Sequence, residues 1–224
     1  AFHDAGFKVY GIDFSEEVIE SLREGRSAIS EEVGLTIPVG SNWILTSSYE
    51  GSIPNCDVVI VCVPTPVSEN LEPNLESVKS SIKSIISSCG DEGDLVIILE
   101  STVQPGTTVK CVEAAKSEIG EVSRRILISY CPERISPGEG GRGVGEVSRV
   151  IGSETSELSE VLSHLYRKIT EGTVIPVESI EVAEAAKLVE NAQRDIDIAF
   201  VNELAILLPK LGLDVEQVLE AAST

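Results

Sequence analysis

Glu184, Lys187, Asn191 and Arg194 fall at i, i+3, i+7 and i+10, a spacing that sets them along one face of an α-helix. Such a stripe is ordinarily solvated surface. Here the flanking VAEAAKLV and IDIAFVNELAILL are rich in apolar residues, so the helix is expected to be largely buried and to carry Lys187 and Asn191 inward. A buried ammonium and amide suit an anionic or oxyanionic partner. A second set of groups follows strand-like runs: the hydroxyls of Thr65, Ser101 and Thr102 and the carboxylate of Glu133. Hydroxyls in such turns either cap backbone or contact a ribose, a phosphate or a water. Glu133 is either a general base that holds a water or a loop carboxylate paired with Arg134. Asp13 closes another such run, where an acid either caps the next helix or accepts from a ribose 2′-OH, which favours NAD over NADP. No glycine fingerprint precedes it.

The elements that must position these groups alternate. FKVYGID at 7–13 reads as a strand, followed by a helix that Ser15 caps and Gly25 ends. The stretch from Arg26 to Gly51 has few periodic cues and stays unassigned. DVVIVCV at 57–63 is a continuous apolar run of the kind buried in a parallel sheet, and LVIIL at 95–99 and RILISY at 125–130 repeat it. Helices are predicted from Leu75 to Cys89, from Thr107 to Ile119 and from Ser156 to Lys168, with a glycine-rich loop and SRVIG before the last. Strands alternating with helices predict an α/β, Rossmann-type doubly wound parallel sheet. In such sheets ligands bind outside the carboxyl ends of the strands, where all these polar groups lie. From Glu178 to Leu211 a helical pattern broken only by Pro209 reads as a spine, and DVEQVLEAAST as one more helix. The expected division is a cofactor domain over 1–176 and the start of an all-helical domain over 177–224.

With 37 acidic residues against 17 basic ones and a net charge of −20, the chain is not built to bind nucleic acid. No apolar run approaches membrane-spanning length, so a membrane is not expected and the cytoplasm is. Five cysteines without CxxC spacing or clustered histidines exclude a zinc site and a disulfide framework. Cys62 and Cys111 read as small core residues, and Cys131, beside Glu133, is the only thiol placed to be a nucleophile, although nothing nearby in sequence would lower its pKa. Methionine is absent, at position 1 included, so the sequence reads as a fragment.

Taken together, AGFKVYGID, VPTP at 63–66, ESTVQPGTT at 100–108, CPERISPG at 131–138, AEAAKLVENAQR at 183–194, and IAFVNELA through LGLDVEQVLEAAST resemble the nucleotide-sugar dehydrogenases of the UDP-glucose/GDP-mannose dehydrogenase family. The PER and KLVEN wording is most similar to the branch acting on UDP-N-acetylmannosamine and UDP-N-acetylglucosamine. The resemblance implies NAD-dependent oxidation of the C6 alcohol of a UDP-sugar to a uronic acid for polysaccharide synthesis, by way of a cysteine-bound intermediate, in a homodimer that pairs through its central helices. It implies cofactor contacts from Asp13, Thr65, Ser101 and Thr102, and a water positioned by Thr102. It further implies a base or hydrolysis role for Glu133, oxyanion stabilisation by Lys187 and Asn191, and substrate or structural contacts from Arg134 and Arg194. The family's first strand and glycine loop would precede this sequence, and its catalytic cysteine and nucleotide-binding domain would follow it, so the isolated chain is expected to be inactive. Two other readings are a hydroxyacid dehydrogenase of the 6-phosphogluconate type, which shares a Lys-x-x-x-Asn helix, and a non-catalytic remnant that only folds and pairs.

Overall fold

The computed structural model describes residues 1–26, 40–70, 72–133 and 146–223. Residues Ala1–Glu184 form one compact unit and Ala185–Thr224 a second.

In the first unit, β1 (Val9–Ile12) pairs in parallel with β2 (Trp43–Thr46), from Val9 opposite Trp43 to Ile12 opposite Thr46. Between them lies α1 (Glu16–Arg23), whose first turn is closed by Ser15 Oγ accepting from the Val18 amide. Gly25, at φ 75°, follows its end. The strand β2 falls in the stretch left unassigned from sequence, because WILT is too short for an alternation to show and its state is set by pairing with β1.

The larger sheet has the order β3 (Val58–Val61), β4 (Asp94–Leu99), β5 (Arg125–Tyr130), β6 (Arg149–Ser153) and β7 (Val174–Pro176). Its first three strands are parallel and end level, Val61 opposite Leu99 and Leu99 opposite Tyr130. On one face, α2 (Glu76–Ser87) and α3 (Thr107–Ile119) bring Ile82, Ile86 and Val112 against Ile97, Leu99 and Ile128. On the other, α4 (Ser156–Tyr166) packs Leu158, Leu162 and Tyr166 against Ile98, Cys131 and Ile151. A strand covered on both sides must be apolar at consecutive positions, which is why LVIIL carries no alternation. At the opposite end of the sheet the buried Arg124 donates to the carbonyls of Cys56, Cys89 and Asp94.

The fold is α/β with a predominantly parallel sheet, as expected, and one strand departs from the pattern: β6 runs antiparallel to β5, with Ser129 opposite Ser153 and Tyr130 opposite Gly152. A parallel neighbour requires a helix-bearing crossover. The sequence between β5 and β6 instead holds Gly138, Gly140, Gly141, Gly143 and Gly145, with no helical apolar period. The short β7, also unforeseen, then pairs in parallel with β6 after α4.

The helix α5 (Ile180–Leu207) begins in the first unit and continues into the second. It gives way at Pro209 to a 3₁₀ turn over Leu208–Leu211, because proline has no N–H for the ladder. α6 (Val215–Ala222) follows, with Asp214 accepting from the Gln217 amide at 2.9 Å. The expected burial of α5 holds only in its first turns. Val189, Ile196 and Phe200 are 68%, 64% and 62% exposed. Their apolar character marks a face that is exposed among the described residues.

Candidate active site

Because β3, β4 and β5 end level, the residues after them form one row: Cys62 to Thr65, Glu100 to Thr102, and Cys131 to Glu133. Thr65 Oγ1 donates to the Thr102 carbonyl at 2.8 Å, and Ser101 Oγ donates to the Val63 carbonyl at 2.6 Å. These two bonds tie the first two turns together, so the structure does bring Thr65, Ser101 and Thr102 to one place. It also assigns the protons of Thr65 and Ser101 to backbone, which leaves their oxygens available as acceptors.

Glu133 lies on the third turn, and its carboxylate meets a residue that sequence reasoning did not single out. Arg149 Nη2 is 3.0 Å from Glu133 Oε2, and Arg149 Nη1 is 3.8 Å from Glu100 Oε1. The Arg149 side chain is 2% exposed. Tyr166 donates from its hydroxyl to Glu100 Oε1 at 2.7 Å, and Cys62 Sγ lies 3.9 Å from the other Glu100 oxygen. Burial raises the Glu100 carboxyl above the usual carboxylate range, against the opposing pull of Arg149. Burial also opposes the charge on Arg149, but the facing Glu100 and Glu133 carboxylates more than offset it. The Cys131 thiol is pushed up to about 12, first by burial and then by the Glu100 charge, so it stays protonated near neutrality. Arg134, the other basic residue expected here, lies outside the described residues.

Asp13 follows β1 and takes the Ser15 amide on Oδ1 at 2.9 Å, a turn that leads the chain into α1. Asp13 thus orders the turn before the helix, while the cap itself is Ser15. The first turn of α1 that follows is acidic: Glu16, which contacts the Ser47 hydroxyl, and Glu17.

The stripe on α5 divides. Glu184 is fully buried in the first unit and accepts from the Gly106 amide at 2.5 Å, the Thr108 amide at 2.9 Å and the Thr108 hydroxyl at 2.6 Å. It therefore occupies the N-terminus of α3, supplying the negative charge that the helix end favours. Lys187, Asn191 and Arg194 belong to the second unit. Lys187 is buried, and Asn191 and Arg194 are half-buried. Glu190, also overlooked in the sequence, lies 3.6 Å from Lys187 Nζ and 2.5 Å from Arg194 Nη2, so one carboxylate serves both cations of the stripe. The i+3 and i+4 spacings of KLVENAQR were the available signal.

Among the described residues no group of histidine, cysteine and carboxylate side chains is arranged to hold a metal, and no helix is long and apolar enough to cross a membrane.

Residues 1–170 match the family model for the UDP-glucose/GDP-mannose dehydrogenase family, NAD binding domain, and residues 181–224 that family's central domain. The chain is 37% identical over 218 residues to a UDP-N-acetyl-D-glucosamine 6-dehydrogenase of Pseudomonas aeruginosa, covering 96% of this chain and 51% of the relative. It is 32% identical over 222 residues to a UDP-N-acetyl-D-mannosamine dehydrogenase of Methanococcus maripaludis, covering 97% of this chain and 50% of that one. A solved UDP-D-ManNAc dehydrogenase from Pyrococcus horikoshii superposes with a TM-score of 0.82 at 28% identity, over 99% of this chain and 53% of its own. The chain thus spans about half the length of the curated relatives it matches.

Proposed function

Since the chain belongs to the UDP-glucose/GDP-mannose dehydrogenase family, we propose that it is part of an NAD-dependent UDP-sugar 6-dehydrogenase. Its substrate would be UDP-N-acetylmannosamine or a similar UDP-sugar, oxidised to the uronic acid for polysaccharide synthesis in the cytoplasm. The observation that carries this is the level row of strand ends, which sets Thr65, Thr102 and Glu133 along one edge of the sheet. Residues 1–176 act as the cofactor domain and 177–224 begin the helical domain, whose exposed apolar residues support pairing with a second copy.

The residues around Asp13 fit NAD. One Asp13 oxygen is held by the Ser15 amide and the other is free to accept from the adenosine ribose, while Glu16 and Glu17 close by would repel a 2′-phosphate. When bound, NAD⁺ supplies the oxidant, and two equivalents are needed to take the C6 alcohol through the aldehyde to the acid with one water added. Thr65, Ser101 and Thr102 orient ligand and water with their hydroxyls. Glu133 accepts a proton from that water. Lys187 and Asn191 stabilise oxyanionic oxygen, and Arg134 and Arg194 contact substrate. A covalent second oxidation requires a thiolate. The Cys62 and Cys131 thiols, each pushed up to about 12, and those of Cys56, Cys89 and Cys111, raised first by burial, are unsuited to it, so the isolated chain is expected not to complete the oxidation.

Titration calorimetry with NAD⁺ and NADP⁺, paired with NADH formation from UDP-N-acetylmannosamine by the full-length enzyme, tests this reading. NAD⁺ alone should bind, and Asp13→Ala should weaken it by about tenfold, the loss of one charge-assisted hydrogen bond. Equal affinity for NADP⁺, or oxidation of a β-hydroxyacid in place of the UDP-sugar, would overturn it.

A further inference from the structure

The antiparallel β6 places its first residue, not its last, at the ligand-binding edge of the sheet. In the register of β5 with β6, Ser129 faces Ser153 and Tyr130 faces Gly152. Carried on in steps of one, that register sets Glu133 opposite Arg149, on the same face of the sheet. The 3.0 Å approach of Arg149 Nη2 to Glu133 Oε2 agrees with it.

The guanidinium is poorly rewarded as a purely structural group. It is 2% exposed, and its Nε and Nη1 have no hydrogen-bond acceptor among the described residues. Removing an arginine from water costs several kcal/mol unless its donors are satisfied. An apolar side chain of similar volume would fill the same space under Tyr166, whose ring lies 5.8 Å from the guanidinium carbon, at lower cost. What the arginine does provide is direction. Glu100 holds it from behind at 3.8 Å, Tyr166 holds Glu100 at 2.7 Å, and the side left over faces Glu133. Glu133, 38% exposed, is the member of this chain of contacts that reaches the edge of the sheet.

We propose that Arg149, backed by Glu100 and Tyr166, is a positioning residue that aims the Glu133 carboxylate at the reacting centre. The proposal rests on the functional reading above. Arg149 itself is not placed to touch a ligand, because its side chain is 2% exposed. Its effect passes through the angle and position of one carboxylate. A base misplaced by about 1 Å costs on the order of 100-fold in turnover.

The test compares Arg149→Lys, Arg149→Met, Glu100→Gln and Glu133→Gln in the full-length enzyme of which this chain is part, alone and with Arg149→Met combined with Glu133→Gln. Arg149→Met should lower kcat by about 100-fold and leave the KM for NAD⁺ within about threefold. Arg149→Lys should recover part of the loss, and the double variant should be scarcely worse than Glu133→Gln, because both changes remove the same function. Multiplying effects in the double variant, or a loss confined to KM, would overturn the proposal. Carbon-13 NMR of glutamate-labelled protein gives a second readout that needs no turnover. The carboxyl resonance lost in Glu133→Gln identifies Glu133, and it should shift in Arg149→Met and, less, in Glu100→Gln. A resonance that stays in place would refute the positioning role even if the enzyme is active. Full-length enzyme, extended to the length of its relatives, that forms no NADH from any UDP-sugar would instead refute the functional reading, leaving the resonance to decide the pairing.

Discussion

Replacing Glu184 by alanine should be among the most damaging single changes in the first unit. Its carboxylate is fully buried and takes three donors from the start of α3, the amides of Gly106 and Thr108 and the hydroxyl of Thr108. Each hydrogen bond to a charged acceptor contributes about 1.5–3 kcal/mol, and a carboxylate at a helix N-terminus adds up to about 2 kcal/mol. These contributions overlap, and a water entering the vacated space would recover part of them, so the expected cost is about 3–5 kcal/mol. Against a typical total of about 5–15 kcal/mol that is a large fraction. Glu184→Gln keeps one acceptor oxygen but turns an amide N–H₂ toward one of the donors, for about 1–3 kcal/mol. Thr108→Val removes only the hydroxyl donor, for about 1 kcal/mol. Urea unfolding followed by circular dichroism should therefore rank the midpoints wild type, Thr108→Val, Glu184→Gln, Glu184→Ala, with an unchanged slope. If Glu184→Ala costs no more than Thr108→Val, the carboxylate is not what holds the end of α3 and the argument is wrong.

Gly152→Ala should also unfold the sheet early, since a Cβ there would lie 2.3 Å from the Ser179 carbonyl oxygen and 2.8 Å from Ile180 Cα, both backbone atoms. Overpacking of that kind costs about 3 kcal/mol or more, whereas Gly93→Ala, at φ 71° with open space, should cost about 1 kcal/mol. Equal urea midpoints for the two variants would count against the close approach of β6 to the start of α5. The third expectation concerns pH. The folded-state pKa of Glu100 is raised by burial, so the folded protein binds its proton more tightly than the unfolded chain. Stability from this group is therefore full below the ordinary glutamate pKa and is lost as pH rises from there through the raised folded value. Glu100→Gln should remove that decline, so the midpoint of the variant relative to wild type should rise with pH across this window. A difference that is flat or falls with pH would contradict the assignment.

Much of the frame could be read from single elements because each is fixed locally. LVIIL had to be a doubly covered strand, SEEVIESLREG carries its own cap and stop, and α3 runs between Gly106 and Gly120. The residue types of the candidate site were legible for the same reason: hydroxyls, a carboxylate and a cationic stripe at strand ends and on one helix face. Partners were not, because partnership depends on pairing across long separations. Glu184 looked like one more member of the stripe, and only the packing of α5 against α3 shows that it closes a helix end 76 residues earlier in the chain.

Arg149 shows how far strand direction decides what a residue can do. From sequence it is a charge at the head of SRVIG, indistinguishable from an arginine that marks where a strand meets solvent. Had β6 continued the parallel pattern, Ser153 would lie at the edge with Thr102 and Glu133. Arg149 would then sit four residues down the strand, about 13 Å away at roughly 3.3 Å per residue, beyond reach of Glu133. The reversal of one strand is what gives the loop carboxylate a buried cation to rest against.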